Sequence, residues 1–208
     1  MSTRARQPDV TGVVERDGVS LAYEVHGDAG PSLLLLPTWS IIDSRVWKAQ
    51  VPFLARHCRV VTFDGRGSGR SSSPKGAAAY ENAEYALDTL AVMDATSTQA
   101  AILAGLSCGA TWAVHVAARA PDRVLGIFAV APSCGFSVAH RQREQFAWHE
   151  TYPQTAGWAT YNKDFWLTGD LTAFREFFFS EVFNEPHSTK QIEDALDWSS
   201  KVVPETLV

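Results

Sequence analysis

The stretch Ala100-Ala101-Ile102-Leu103-Ala104-Gly105-Leu106-Ser107-Cys108-Gly109-Ala110-Thr111-Trp112 constrains this chain more than any other. A short apolar run climbs to Gly105, turns through Ser107 and Gly109, and continues into an Ala-rich segment of helical character. The pattern predicts a strand, a sharp turn and a helix, with a serine at the apex. Glycines two positions either side let strand and helix approach without Cβ clashes, while the serine takes strained backbone. That strain would hold Oγ clear of the chain. The first helical N–H, that of Cys108, would point to where negative charge develops on an attacked carbonyl. The plainer alternative is a strand-to-helix turn with Ser107 as a helix cap.

A length of 208 residues suits one domain with a real core, or one domain with a small insertion. The net charge of −5 is modest, and no Lys/Arg run or basic patch suggests nucleic acid as a partner. Residues 1–9 are polar and lack an apolar core segment, so they read as a flexible tail and not as a signal peptide. With no apolar run of spanning length, no membrane is expected and the expected setting is cytoplasmic. Cys58, Cys108 and Cys134 lack metal-ligand spacing and are read as reduced and mostly buried.

Along the chain, Val10–Val14 and Val19–Val25 alternate apolar and polar residues around Asp17-Gly18, a hairpin signal. Ser32–Leu36 and Arg59–Phe63 are continuous apolar runs, as expected of strands covered on both faces. Between them, Pro52 limits any helix to a short one. Tyr80–Ala95 reads as a helix with acidic residues near its start. The helix after Ser107 runs to Ala120, and Val124–Ala131 is a further buried strand. This rhythm of strand and helix predicts an α/β fold, a mostly parallel sheet flanked by helices.

Gly65-Arg66-Gly67-Ser68-Gly69 follows a strand and invites a nucleotide-binding reading. It lacks both the G-x-G-x-x-G spacing and the G-K-[ST] of a phosphate loop, so a structural loop is the better account. From residue 136 to 208 the chain turns aromatic, with Trp148, Trp158, Tyr161, Trp166, Phe174 and Phe177–Phe179. Helical spacing recurs in Leu171–Phe183 and Thr189–Ser199. These rings are expected chiefly to pack the helices together, with a subset available to line an apolar pocket.

Taken together, these pieces resemble the cap-bearing, lipase/esterase-like α/β-hydrolases. Phe63-Asp64-Gly65-Arg66-Gly67-Ser68-Gly69-Arg70-Ser71 is similar to that family's D-x-R-G-x-G-x-S loop. Gly105–Gly109 matches its nucleophile elbow, and Ala120-Pro121-Asp122-Arg123-Val124 its usual exit from the elbow helix. The resemblance implies a hydrolase core over 10–135, a helical cap over 136–208, and no cofactor or metal. It makes Ser107 the nucleophile toward a small acyl substrate, with the backbone N–H groups of Cys108 and Trp39 as the oxyanion hole. Pro37-Thr38 stands where the family places a His-Gly pair.

The family also places a carboxylate and then a histidine after the cap, and neither is identified here. His26 and His57 lie early, His115 sits on the elbow helix, and His140, His149 and His187 fall in the expected cap. Asp64 belongs to the structural loop. The strand at 124–131 is internal in the family, so the chain is expected to be the N-terminal part of a longer polypeptide. As a complete product it is expected to self-associate, or to pair with a complementing chain, through that exposed edge. Two readings follow: a serine hydrolase of carboxylic esters or related acyl bonds, or a non-catalytic hydrolase-like module for binding or regulation.

Overall fold

A computed structural model describes residues 6–134, 141–186 and 189–208. The chain divides into two compact units, 1–135 and 136–208.

The first unit is built on a six-stranded sheet. The Asp17-Gly18 turn, in which both residues take positive φ, joins β1 (Val10–Arg16) to β2 (Val19–His26) in an antiparallel hairpin. Next come β3 (Ser32–Leu35), β4 (Arg59–Phe63), β5 (Ala101–Leu106) and β6 (Val124–Val130), in the spatial order β1-β2-β4-β3-β5-β6. β4, β3, β5 and β6 run parallel, and β2 meets β4 antiparallel. The parallel strands are connected by α1 (Val51–Leu54), α2 (Asn82–Ala95) and α3 (Cys108–Arg119). Pro52 falls at the start of α1, where its missing N–H costs nothing, and the helix lasts one turn. The segment expected to be helical from Tyr80 begins at Asn82, after a 3₁₀ turn at Ala77–Tyr80.

Alternation along the strands sorts the core into two layers. Leu34, Leu36, Val61, Phe63 and Leu103 pack beneath α2 and α3 with Val92, Met93, Trp112 and Val116. Leu35, Val60 and Ala104 face the other way, onto Trp47 and Val51. Tyr85 of α2 and Trp112 of α3 stack with ring centroids 3.7 Å apart, which fixes how those helices meet.

β6 departs from the expected buried strand. Among the described residues it pairs with β5 alone, and Leu125, Ile127 and Phe128 stand exposed. Its composition suits a covered strand, and among the described residues no second strand or helix covers it. The cysteines depart too. All three are free, yet half-buried rather than buried.

The second unit holds α4 (Lys163–Thr168), α5 (Leu171–Val182), α6 (Lys190–Ser199) and α7 (Pro204–Leu207). Asn162 caps α4 by accepting from the Phe165 N–H at 2.8 Å, and Asp170 caps α5 by accepting from Thr172 N at 2.9 Å. Trp166, Phe174 and Phe179 are fully buried. Trp166 meets Phe174 at 4.7 Å and Trp148 at 4.6 Å, so the aromatic stretch packs largely on itself. Among the described residues no helix is long and apolar enough to cross a membrane.

Candidate active site

Ser107 occupies the one-residue gap between β5 and α3, with φ 55° and ψ −118°. This backbone is costly for a residue with a Cβ, on the order of 1–3 kcal/mol, and persists only where its surroundings enforce it. The enforcement is visible. The Ser107 N–H donates to the Val130 carbonyl at 2.9 Å, and its carbonyl accepts from Ala110 N at 3.1 Å and Ser133 N at 3.2 Å. The side chain makes no capping hydrogen bond to α3. A serine serving as a cap would put Oγ on the amide of the second or third helical residue. Here the hydroxyl stays out of the helix, so the capping account fails.

Both flanking glycines are required by contact. A Cβ on Gly105 would lie 2.3 Å from the carbonyl carbon and oxygen of Gly109, and one on Gly109 would lie 2.3 Å from the Pro37 oxygen. The second contact seats the first turn of α3 against the loop that leaves β3. β3 and β5 are sheet neighbours, with Leu35 opposite Ala104, and Leu36 N donates to the Ala104 carbonyl at 2.8 Å. Thr38 and Trp39 therefore emerge at the same sheet end as Ser107. Cys108 is the first residue of α3, so its N–H has no carbonyl partner within the helix. Burial pushes the Cys108 thiol up, opposed by hydrogen bonding to the Ser107 and Ser133 side chains. The thiol is neutral at neutral pH, a poor nucleophile beside a projecting hydroxyl.

A second strap holds the elbow that residue spacing did not disclose. After β6 the chain takes a positive φ at Ala131 (42°) and folds back over α3. There the Thr111 hydroxyl donates to the Ser133 carbonyl while Ser133 N reaches Ser107. Only Ala131-Pro132, a pair unsuited to continuing a strand, signalled the turn.

The glycine-rich loop is structural. Asp64 accepts from Ser44 N and Arg70 N, each at 3.0 Å, and a Cβ on Gly69 (φ 58°) would lie 2.4 Å from its carboxylate. Arg66 is buried and binds Asp88 through two bonds of 2.7 Å, while Arg16 Nε adds a third at 2.7 Å. The Arg66 guanidinium is thus committed to a buried acid rather than offered to a phosphate. Asp88, central to this network, was not singled out from sequence.

The histidines of the first unit stay away from the elbow. His26 pairs with Val60 at the edge where the parallel strands begin, opposite the edge where β5 ends. His57 is exposed just before β4, at that same far edge. His115 is exposed on α3, about 10 Å of helix rise beyond Cys108. His149 is exposed in the second unit, and His140 and His187 lie outside the described residues. Ala131-Pro132-Ser133-Cys134, at the end of β6, brings no carboxylate. Among the described residues no cluster of His, Cys, Asp and Glu could hold a metal ion.

The family model described as alpha/beta hydrolase fold matches residues 26–196, and the chain belongs to that family. A protein named epoxide hydrolase from Caballeronia sordidicola is 33% identical over 129 residues, covering 59% of this chain and 39% of that protein. Rhodomycin D methylesterase DauP from a Streptomyces species is 35% identical over 120 residues, covering 55% of this chain and 40% of that protein. The matches thus span about two fifths of these relatives' length. Among solved structures, the enol-lactonase from Burkholderia xenovorans LB400 aligns with a TM-score of 0.72 at 22% identity, covering 95% of this chain and 70% of that one. That likeness is one of fold.

Proposed function

We propose that this chain carries the nucleophile and oxyanion hole of a serine hydrolase acting on carboxylic esters or related acyl bonds. The observation that carries the reading is the backbone of Ser107: positive φ, held by hydrogen bonds from three directions, with the hydroxyl kept out of the helix cap. Strain of this kind is maintained where a side chain must be presented.

In the reaction, Ser107 Oγ attacks the acyl carbonyl carbon and gives up its proton to a base. Negative charge gathers on the carbonyl oxygen, and the amides of Cys108 and Trp39 are its donors. Collapse of the tetrahedral intermediate expels the alcohol and leaves an acyl-enzyme, which water then hydrolyses. A serine at the apex separates this chemistry from that of family members with aspartate there, the epoxide hydrolases among them. The methylesterase and lactonase names among the similar proteins fit acyl chemistry. The unit at 136–208, with its aromatic core, is read as the cap that would select the acyl or alcohol group.

A second reading has its own support. None of the histidines described in the first unit lies at the elbow, and a hydrolase-like module without a base would bind without turnover. Labelling the folded chain with a fluorophosphonate probe, with Ser107→Ala as control, tests the hydrolase reading. Stoichiometric labelling that vanishes in the variant is expected of the hydrolase. A folded chain that stays unlabelled refutes turnover by these residues alone: the elbow is then structural, or awaits the carboxylate and histidine that the family places after the cap.

A further inference from the structure

We infer that Ser40 and Tyr85 are positioning residues of the oxyanion hole: a bond between their hydroxyls fixes the Trp39 amide relative to the Cys108 amide. The chemistry of this assignment rests on the serine-hydrolase reading. Its geometry rests on buried contacts within the first unit.

The two donors come from separate segments. The Cys108 N–H begins α3, which the strained turn and the two glycine contacts hold in place. The Trp39 N–H lies on the loop that leaves β3, and a loop places a backbone group only as well as its own anchors do. One anchor stands two residues before Trp39, where the Pro37 carbonyl meets the first turn of α3 at Gly109. The other follows Trp39 directly. Ser40 is buried, and its hydroxyl lies 3.0 Å from the Arg66 carbonyl and 2.7 Å from the Tyr85 hydroxyl.

The protons in this chain of bonds can be placed. Ser40 has one to give and a carbonyl can only accept, so the Ser40 hydroxyl donates to Arg66. The 2.7 Å contact then takes the Tyr85 phenol as donor. Burial pushes that phenol up, so it keeps its proton across the neutral range.

Both partners of Ser40 are themselves fixed. Arg66 is tied through its guanidinium to Asp88, one turn beyond Tyr85 on α2. The Tyr85 ring stacks on Trp112, which lies one turn along α3 from Gly109. Trp112 Nε1 in turn donates to Asn82 Oδ1 at the start of α2, at 2.9 Å. Trp39 is thus bracketed by Pro37 and Ser40, and both supports lead back to α3, the helix that carries the Cys108 amide. That closed frame sets the spacing of the two donors. The glycine-rich loop takes part in it by presenting the Arg66 carbonyl.

The test compares wild type with Tyr85→Phe, Ser40→Ala and Thr89→Val. Tyr85→Phe deletes only the phenol oxygen and keeps a ring against Trp112, and Ser40→Ala cuts the same bond from the loop side. Thr89→Val is the control: it deletes another buried hydroxyl of α2, whose bond to the Tyr85 carbonyl is internal to the helix. The first readout is amide hydrogen exchange at Ile42, whose N–H donates to the Trp39 carbonyl, taken relative to the amides of β5. It should quicken about tenfold in Tyr85→Phe and in Ser40→Ala, and hold at the wild-type ratio in Thr89→Val. The second is the rate at which a fluorophosphonate labels Ser107. That rate should fall about tenfold or more in the two loop variants, because a misplaced oxyanion donor forfeits much of its effect, and stay unchanged in Thr89→Val. Wild-type exchange at Ile42 in Tyr85→Phe would overturn the inference, and so would labelling of that variant at the wild-type rate. A wild type that stays unlabelled counts against turnover by these residues alone, and exchange at Ile42 then decides the assignment by itself.

Discussion

Replacing Gly105 by alanine tests whether the elbow is held by steric contact. The added Cβ would sit 2.3 Å from the carbonyl carbon and oxygen of Gly109, whereas ordinary contact begins at 3.4 Å. Strand β5 and helix α3 must therefore separate by about 1.1 Å at their crossing, and neither can do so freely. The strand is hydrogen-bonded on both sides, to β3 and β6, and the first turn of α3 is wedged against the Pro37 carbonyl. Overpacking of a rigid site costs about 1–3 kcal/mol, and backbone against backbone belongs at the upper end. With a urea slope of about 2–3 kcal/mol/M for a chain of this size, the unfolding midpoint should fall by about 1 M. Gly12→Ala is the control, because its Cβ would also come within 2.3 Å of an atom, here the Tyr23 hydroxyl oxygen. That atom is the far end of a side chain that can swing aside, so the midpoint should move little. Equal shifts in the two variants, or none in Gly105→Ala, would refute the claim that backbone contact sets the elbow.

Two further predictions concern the network behind the glycine loop. Asp88→Ala strips Arg66 and Arg16 of a fully buried counter-charge and should cost about 3–5 kcal/mol, read as the loss in urea-unfolding free energy. Asp88→Asn, which keeps some acceptors, should cost less, and equality of the two would argue against a charge effect. The hydrogen bond from Arg16 holds the Glu84 carboxyl below its usual value of 4.5. A depressed folded-state pKa gives stability that is present above the unfolded value and is lost as pH falls through the folded one. The stability gap between wild type and Glu84→Gln should thus be full near neutrality and close at strongly acid pH. Glu84 is partly exposed, so the gap should be small and shrink with salt.

What was legible in the sequence is what local chemistry imposes. The Asp17-Gly18 hairpin, the strands at Ser32–Leu35 and Arg59–Phe63, and the Gly105–Gly109 turn each follow from a few adjacent residues: positive φ, unbroken apolar runs, a glycine where no Cβ fits. Ser107 stood out for the same reason, since the elbow's demands lie within five residues. The α4 and α7 turns escaped notice, being too short for periodicity to mark, although Asn162 and Pro204 were capping signals in plain sight.

Tertiary structure alone decided the rest. Nothing local to Val-Leu-Gly-Ile-Phe-Ala-Val separates a buried strand from an edge, because exposure depends on which strand arrives next to it. Asp88 reads like any acid on a helix until Arg66 and Arg16, from a loop and a strand far off in the chain, close on it. The Ser133 strap and the contact of Gly109 with Pro37 likewise join segments that are distant in sequence. Sequence by itself determined the conformations that sterics and hydrophobic pattern dictate over a few residues, the serine's turn among them. Folding decided which groups meet, because charge pairing, burial and strand order depend on contacts between distant segments, which no local pattern encodes.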